Sequence, residues 1–266
     1  MNLVVKFEGD MYDFTNLDTR GGLFDDASRT ITWNSSSTPD LGNFFPNTGG
    51  QVSFYVTIRS SFPSFIPGSS HDQFVKLTAK LGTPNVPTGF EGDELAVTSS
   101  LTSRIGTQPS LNQSAYYNDP NFGSFGPLPP RVGEETAFTI HWQLTNPGND
   151  IENVKITAKL PAGVVWNNMI RANDGLPLPT FNPNTYEVTW NLGRLPYGTG
   201  ISSDKYEASF QIKIKPSSLQ RGNLVPLIGN AQLTGTDSFT KQSIIINKNG
   251  LETDRLVDRP REGSVQ

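Results

Sequence analysis

Two histidines, no cysteine and a scatter of loop carboxylates are the raw material for chemistry in this 266-residue chain. His71 lies in Gly68-Ser-Ser-His-Asp72, and His141 falls on the polar side of an alternating apolar run. Neither adjoins a Gly-x-Ser-x-Gly nucleophile turn or a His-Glu-x-x-His zinc pattern. His71-Asp72 could orient a nucleophile, but a solvated loop pair is the plainer reading. No carboxylate pair stands out from its surroundings as a glycosidase acid and base. The absence of cysteine removes disulfides and thiolate-bound zinc. Walker and dinucleotide patterns are missing as well. The residues therefore point to a non-enzyme with no catalytic residues and no cofactor.

Calcium is the one metal with candidate ligands. Asp25-Asp26, Asp72, Asn118-Asp119, Asn149-Asp150 and Asn173-Asp174 are oxygen-rich loop positions. The spacing of an EF-hand loop is lacking, and Asx residues in turns commonly bond their own backbone. No metal residue is assigned. A Lys–Asn cross-link would need a lysine pointing into a core. Lys155, Lys159, Lys213 and Lys215 alternate with apolar residues and so should point outward.

Aromatic side chains are the remaining clue to binding. Phe44, Phe45, Tyr116, Tyr117 and Tyr197 fall in or near loops, where exposed rings could stack on sugars. They define a candidate surface for a carbohydrate or protein ligand. The alternative is that they pack beneath their own loops, with residues 116–130 cushioning two domains.

The elements that would carry these residues are strands. Phe138-Thr-Ile140-His-Trp142-Gln-Leu144, Val154-Lys-Ile156-Thr-Ala158-Lys-Leu160 and Phe210-Gln-Ile212-Lys-Ile214 all alternate with period two. Turn formers separate them: Asn146-Pro-Gly-Asn149, Pro161-Ala-Gly163, Asn182-Pro-Asn184 and Pro196-Tyr-Gly198. Strands of this kind, half-buried and antiparallel, predict an all-β chain of packed sheets.

The strand pattern occurs twice. Phe24-Asp-Asp-Ala-Ser-Arg-Thr-Ile-Thr-Trp33-Asn34 returns without a gap as Phe181-Asn-Pro-Asn-Thr-Tyr-Glu-Val-Thr-Trp190-Asn191, 157 residues later. Val52-x-Phe54-x-Val56-x-Ile58 matches Ala208-x-Phe210-x-Ile212-x-Ile214 at a spacing of 156, and Leu77-Thr78 matches Leu233-Thr234 at the same spacing. Trp33, Trp142, Trp190, Phe138 and Phe210 are the expected core. The second copy has strand patterns over 134–144 and 111–117 ahead of Val154. The first begins directly at the equivalent strand, Leu3 to Phe7, and so lacks its opening strand or strands. Residues from elsewhere, such as an upstream part of a longer protein, are expected to complete it.

The expected divisions are 1–92, a partial sandwich; 93–131, its last strand, a linker and a possible first strand of the next; 132–250, a full sandwich; and 251–266, a polar mobile tail. A net charge of −4, evenly spread, excludes nucleic acid as a partner. No apolar stretch is long enough to insert in a membrane, and the first residues do not form a signal peptide.

Asn146-Pro-Gly-Asn149, Val154 to Leu160-Pro-Ala-Gly-Val164, and Val188-Thr-Trp190-Asn-Leu-Gly193-Arg-Leu195 together resemble a conserved-repeat family known as domain of unknown function eleven. The likeness covers about residues 132–247, and more weakly 3–90, where Phe7-Glu-Gly-Asp10 replaces the Leu-Pro turn. It implies tandem immunoglobulin-like antiparallel β-sandwiches from large bacterial or archaeal surface proteins. The implied role is structural: spacing or displaying other domains at the cell surface, with neighbouring domains as partners and export directed from upstream. An adhesin or carbohydrate-binding module using the loop aromatics is the alternative.

Overall fold

The computed structural model describes residues 1–42, 49–62, 72–83 and 95–266. The chain forms two units, Met1–Ile105 and Gly106–Gln266. Both are built from antiparallel β-sheets packed face to face around apolar cores.

The first unit holds β1 (Asn2–Glu8), β2 (Tyr12–Asp18), β3 (Leu23–Asp25), β4 (Thr30–Trp33), β5 (Tyr55–Ile58), β6 (Phe74–Gly82) and β7 (Ala96–Arg104). One sheet has the order β3-β4-β1-β6-β7; the other, among the described residues, is β2-β5 alone. Between them lie Val5, Phe7, Tyr12, Ile31, Trp33 and Leu41.

The second unit holds β8 (Ser110–Tyr116), β9 (Thr136–Thr145), β10 (Ile151–Lys159), β11 (Val164–Ala172), β12 (Thr180–Asn182), β13 (Glu187–Leu195), β14 (Tyr206–Ile214), β15 (Pro226–Ile228), β16 (Ala231–Asp237), β17 (Ser243–Lys248) and β18 (Leu251–Glu252). Its sheets run β12-β13-β10-β16-β17 and β11-β14-β9-β8, with β15-β18 as a small ribbon. Trp142, Trp190, Phe138, Phe210 and their aliphatic neighbours fill the space between the sheets. Burying an indole removes on the order of 150–250 Å² from water, so each of these rings is among the largest single contributors to the apolar stabilisation of the layer.

The repeat is visible at the level of single bonds. The Phe7 N–H donates to Arg29 O at 2.9 Å, and the Leu160 N–H donates to Tyr186 O at 2.8 Å. Arg29 and Tyr186 stand 157 residues apart and both adopt left-handed backbone, with φ of 51° and 54°. Asp25 caps the Ala27 N–H and Asn182 caps the Asn184 N–H in the same turn. Phe14 lies against Phe24 at 5.1 Å, and Trp166 lies against Phe181 at 5.4 Å, each pair between β2 and β3 or their counterparts β11 and β12.

Three sequence expectations need correction. Leu3 pairs with both Trp33 and Leu81, and Ile156 pairs with both Trp190 and Leu233. Register therefore equates Leu233 with Leu81, not Leu77. The short Leu-Thr match was a coincidence within two similar alternating strands. Strand β9 is not half-buried: Thr139 and His141 on its polar side are buried too. The loop 118–126 folds over β9, through the Phe125–Ala137 bridge and the Asp119–His141 contact. Its described contacts hold it to the second unit's own strands. The segment 251–266 is no mobile tail. Strand β18 pairs with β15, Leu256 and Val265 are buried, and the Val132 N–H donates to Gln266 O at 2.9 Å. Its apolar residues are too few to show a period, so only tertiary packing orders it. The division between units falls at Ile105–Gly106, and β8 belongs wholly to the second unit.

The two repeated tryptophans differ in one bond. The Trp190 Nε1–H donates to Pro177 O at 2.7 Å, whereas the buried Trp33 Nε1–H has no acceptor among the described residues. Trp190→Phe removes a made bond and strands a carbonyl; Trp33→Phe removes an unmet donor. Trp190→Phe should therefore cost its unit about 1–2 kcal/mol more than Trp33→Phe costs the other. Chemical denaturation of the two variants checks this, and equal losses would contradict it.

Candidate functional site

The chemistry-bearing residues of the second unit gather in two places. The first is the outer face of the β11-β14-β9-β8 sheet. Strand β9 places His141 between Ser114 of β8 and Ser209 of β14 in the ladder. The His141 ring reaches Glu207 Oε1 through Nδ1 and Asp119 Oδ2 through Nε2, both at 2.6 Å. The edge of Tyr116 meets this ring at a centroid distance of 4.8 Å. Asp119 is buried, and its other oxygen accepts the Asn121 and Phe122 N–H groups at 2.9 Å. Glu207 also accepts from Gln143 Nε2 at 3.0 Å.

A serine relay needs one ring nitrogen facing an acid and the other facing the hydroxyl. Here both nitrogens face acids, so neither can take a proton from Ser114 or Ser209. The arrangement acts as a clamp: it fastens the loop after β8 to the centre of the sheet. Beside it opens a polar cleft of about 280 Å³ lined by Asn121, Arg171, Asn173, Asp174, Glu207 and Ser209. Arg171 reaches across it to Asn121.

The second place is the end of the sandwich at Asn146-Pro-Gly-Asn149. The Asn146 amide donates to Asn149 O, Leu195 O and Pro196 O. The Thr107 hydroxyl donates to Asn146 Oδ1 at 2.6 Å. Asn149 Nδ2 donates to both oxygens of Asp237, at 2.9 and 3.1 Å. Backbone N–H groups of Thr107, Phe239 and Thr240 complete the shell of that carboxylate at 2.8–2.9 Å. Burial pushes the Asp237 carboxyl up, but the Thr240 and Thr107 N–H groups, Asn149 and the Phe239 N–H outweigh it and hold the group below its ordinary value.

The sequence-derived residues fall as follows. Trp33, Trp142, Trp190, Phe138 and Phe210 are buried in the cores. Tyr116 and Tyr117 are half-buried, not exposed: the Tyr117 hydroxyl donates to Gly126 O at 2.6 Å and its ring rests near Phe138. Tyr197 is half-buried too, its N–H donating to Asp150 at 2.7 Å. The structure does not bring these three rings into one platform. Phe44, Phe45 and His71 lie outside the described residues. Of the calcium candidates, Asp25 accepts from Ala27 and Ser28, Asp150 from Tyr197 and Arg194, and Asn173 from the Glu207 N–H. Among the described residues, no three His, Asp or Glu side chains converge as metal ligands. Lys155, Lys159 and Lys215 are exposed, and Lys213 sits at 3.5 Å from Glu135.

Two features were missed. One is the Asp119–His141–Glu207 clamp, whose members come from three separated segments with no shared motif. The other is Trp166, which joins Phe181 and Tyr186 along an apolar groove. Its strand position beside Val164 was the available signal.

No protein-family model matches the sequence, and the search of curated proteins finds no match. Solved structures give distant similarity. Domains D2 and D3 of the major pilin SpaD from Corynebacterium diphtheriae align with a TM-score of 0.34 and 15% identity over 54% of this chain and 52% of that one. The major pilin subunit of Bacillus cereus, BcpA with its D312A substitution, gives 0.37 and 11% over 94% and 63%. The C-terminal domain of the Streptococcus pyogenes antigen I/II-family protein AspA gives 0.36 and 9% over 94% and 83%. The chain thus spans about half to two-thirds of the two pilin structures. Among the described residues, no helix is long and apolar enough to cross a membrane.

Two outcomes follow. Removing His141 leaves the Asp119 carboxylate buried without its ring partner. His141→Ala should cost about 3–5 kcal/mol, and adding Asp119→Asn should cost much less than the sum of the singles; equilibrium unfolding of the set checks this. Asp237 has a lowered carboxyl value in the fold, so its stabilisation is complete above the ordinary aspartate value of about 3.9 and fades as pH falls through the folded value. Wild-type stability should therefore drop below about pH 4 more steeply than that of Asp237→Asn. Parallel stability–pH curves would contradict the assignment.

Proposed function

We propose that this chain is a non-enzymatic structural segment of a larger cell-surface or secreted protein, one that spaces or displays neighbouring domains. The carrying observation is the duplicated strand frame, whose turn caps and edge-closing aromatic pairs recur 152–157 residues apart. A tandem frame of this sort turns sequence length into reach. The polar clusters support the reading, because their hydrogen bonds are spent on fastening loops and strand ends. The resemblance to the conserved-repeat family of surface proteins agrees with it, as do the pilin and surface-antigen names of the structural neighbours. Export and partners outside the chain follow from that context, with no nucleic acid among them.

A second reading, a glycan- or protein-binding adhesin module, is favoured only by the aromatic groove at Trp166, Phe181 and Tyr186. The Phe14–Phe24 pair in the first unit argues that this stacking closes the open side of each sandwich.

Pulling the full chain by force spectroscopy and applying it to a glycan array separate the two. A spacer gives two separate unfolding events and a blank array. A reproducible glycan signal abolished by Trp166→Ala or Tyr186→Ala would replace the spacer reading with the adhesin one.

A further inference from the structure

The segment after β18 is fastened to the second unit in a different sense from the strands around it. The ladders of both large sheets are antiparallel. Leu256, by contrast, bridges Ala115 of the edge strand β8 in parallel. The Val257 N–H donates to Ala115 O at 2.9 Å. One residue further on, a side chain takes over from the backbone. Asp258 Oδ1 accepts the Tyr117 N–H at 3.0 Å, and Oδ2 accepts the Asn118 N–H at 2.7 Å. These bonds sit at the far end of β8. Ahead of its near end, the Thr107 N–H donates to Asp237 Oδ2 at 2.8 Å and the Thr107 hydroxyl to Asn146 Oδ1 at 2.6 Å.

The segment is also anchored on its other side. The Thr253 N–H donates to Val225 O at 3.0 Å, and the Thr253 hydroxyl donates to Gly263 O at 2.7 Å. Gly263 lies so close that a Cβ on it would fall 2.0 Å from Thr253 O, so only glycine fits there. The Gln266 N–H donates to Pro130 O at 2.8 Å. Leu256 and Val265, each 2% exposed, are inserted as apolar plugs.

We propose that this segment is a tension-bearing clasp, one that lets the second unit resist pulling along the chain. Tension entering through Gly106 draws β8 back towards its first residue. Tension beyond Asp258 draws the segment the opposite way. Parallel neighbours pulled in this manner slide past one another, so the bonds at Ala115, Tyr117 and Asn118 are loaded together. Leu256 must leave the core in the same step. An antiparallel hairpin pulled at its adjacent ends opens one bond at a time instead. Asp258 accepts two of the three bonds, and bonds to a carboxylate are stronger than those between neutral groups. The clasp rests on the spacer reading. That reading is decided by the glycan array, whereas the clasp is decided by the direction of pulling.

Constant-force spectroscopy on the full chain tests this in two geometries. In one, the handles hold the two ends of the chain. In the other, one handle is moved from the C-terminal end to Asn184→Cys, an exposed turn position in a chain with no other cysteine, so that the load bypasses residues 251–266. Asp258→Ala should speed unfolding of the second unit at fixed force at least ~10-fold more in the end-to-end geometry than in the bypass. Asp258→Asn, which keeps one acceptor, should show the same preference in smaller measure and serves if the alanine variant does not fold. Equal acceleration in both geometries would overturn the clasp and leave Asp258 a plain stabiliser. So would a low-force step in wild type that strips off residues 251–266 before the rest of the unit yields.

Discussion

The pairing of β9 with β14 is the contact on which the second unit depends. Nine residue pairs join the two strands from Tyr206↔Leu144 to Ile214↔Thr136. That ladder satisfies the backbone of a fully buried strand, which would otherwise lose its hydrogen bonds to water without replacement. It also carries Phe138, Ile140, Trp142 and Leu144 into the space between the sheets. Once β9 is seated, its outer face becomes the floor for the loop after β8, and His141 becomes the anchor that holds that loop through Asp119.

Apolar burial supplies most of the stabilisation, and the polar clusters set the geometry. A neutral hydrogen bond contributes about 0.5–1.5 kcal/mol net, whereas leaving a buried donor or acceptor unmet costs about 1–3 kcal/mol. The Asn146–Asn149–Asp237 cluster therefore adds modest stability when complete and penalises any other arrangement of the turn, β13's end and β16's end. The histidine and its two acids follow the same pattern: both ring nitrogens are engaged, one by Glu207 and one by Asp119.

Much of this frame was legible in the residues. Alternation placed β9, β10 and β14, and the Phe24–Trp33 repeat located the matching turn to the residue, because an Asx cap and a left-handed position tolerate few alternatives. What failed were properties that a local pattern does not encode. Two alternating strands match at several registers, so Leu77 looked as good a partner for Leu233 as Leu81 did. The polar side of β9 reads as solvent-facing because the residues that cover it, Asp119 and Phe125, lie 22 and 12 residues before their partners His141 and Ala137. Leu256 and Val265 are isolated apolar residues in a charged stretch, and only the packed structure shows them inserted. Tyr116 and Tyr117 looked like free rings for the same reason.

Native-state hydrogen exchange on the intact chain, read residue by residue, tests the central claim that β14, paired on both edges, is held more firmly than its counterpart β5, which among the described residues pairs with β2 alone. The amides of Phe210 and Ile212 should exchange only when the whole second unit unfolds, while those of Phe54 and Val56 should exchange through local opening, about 10²-fold or more faster. Equal protection at the two matching strands would contradict the account.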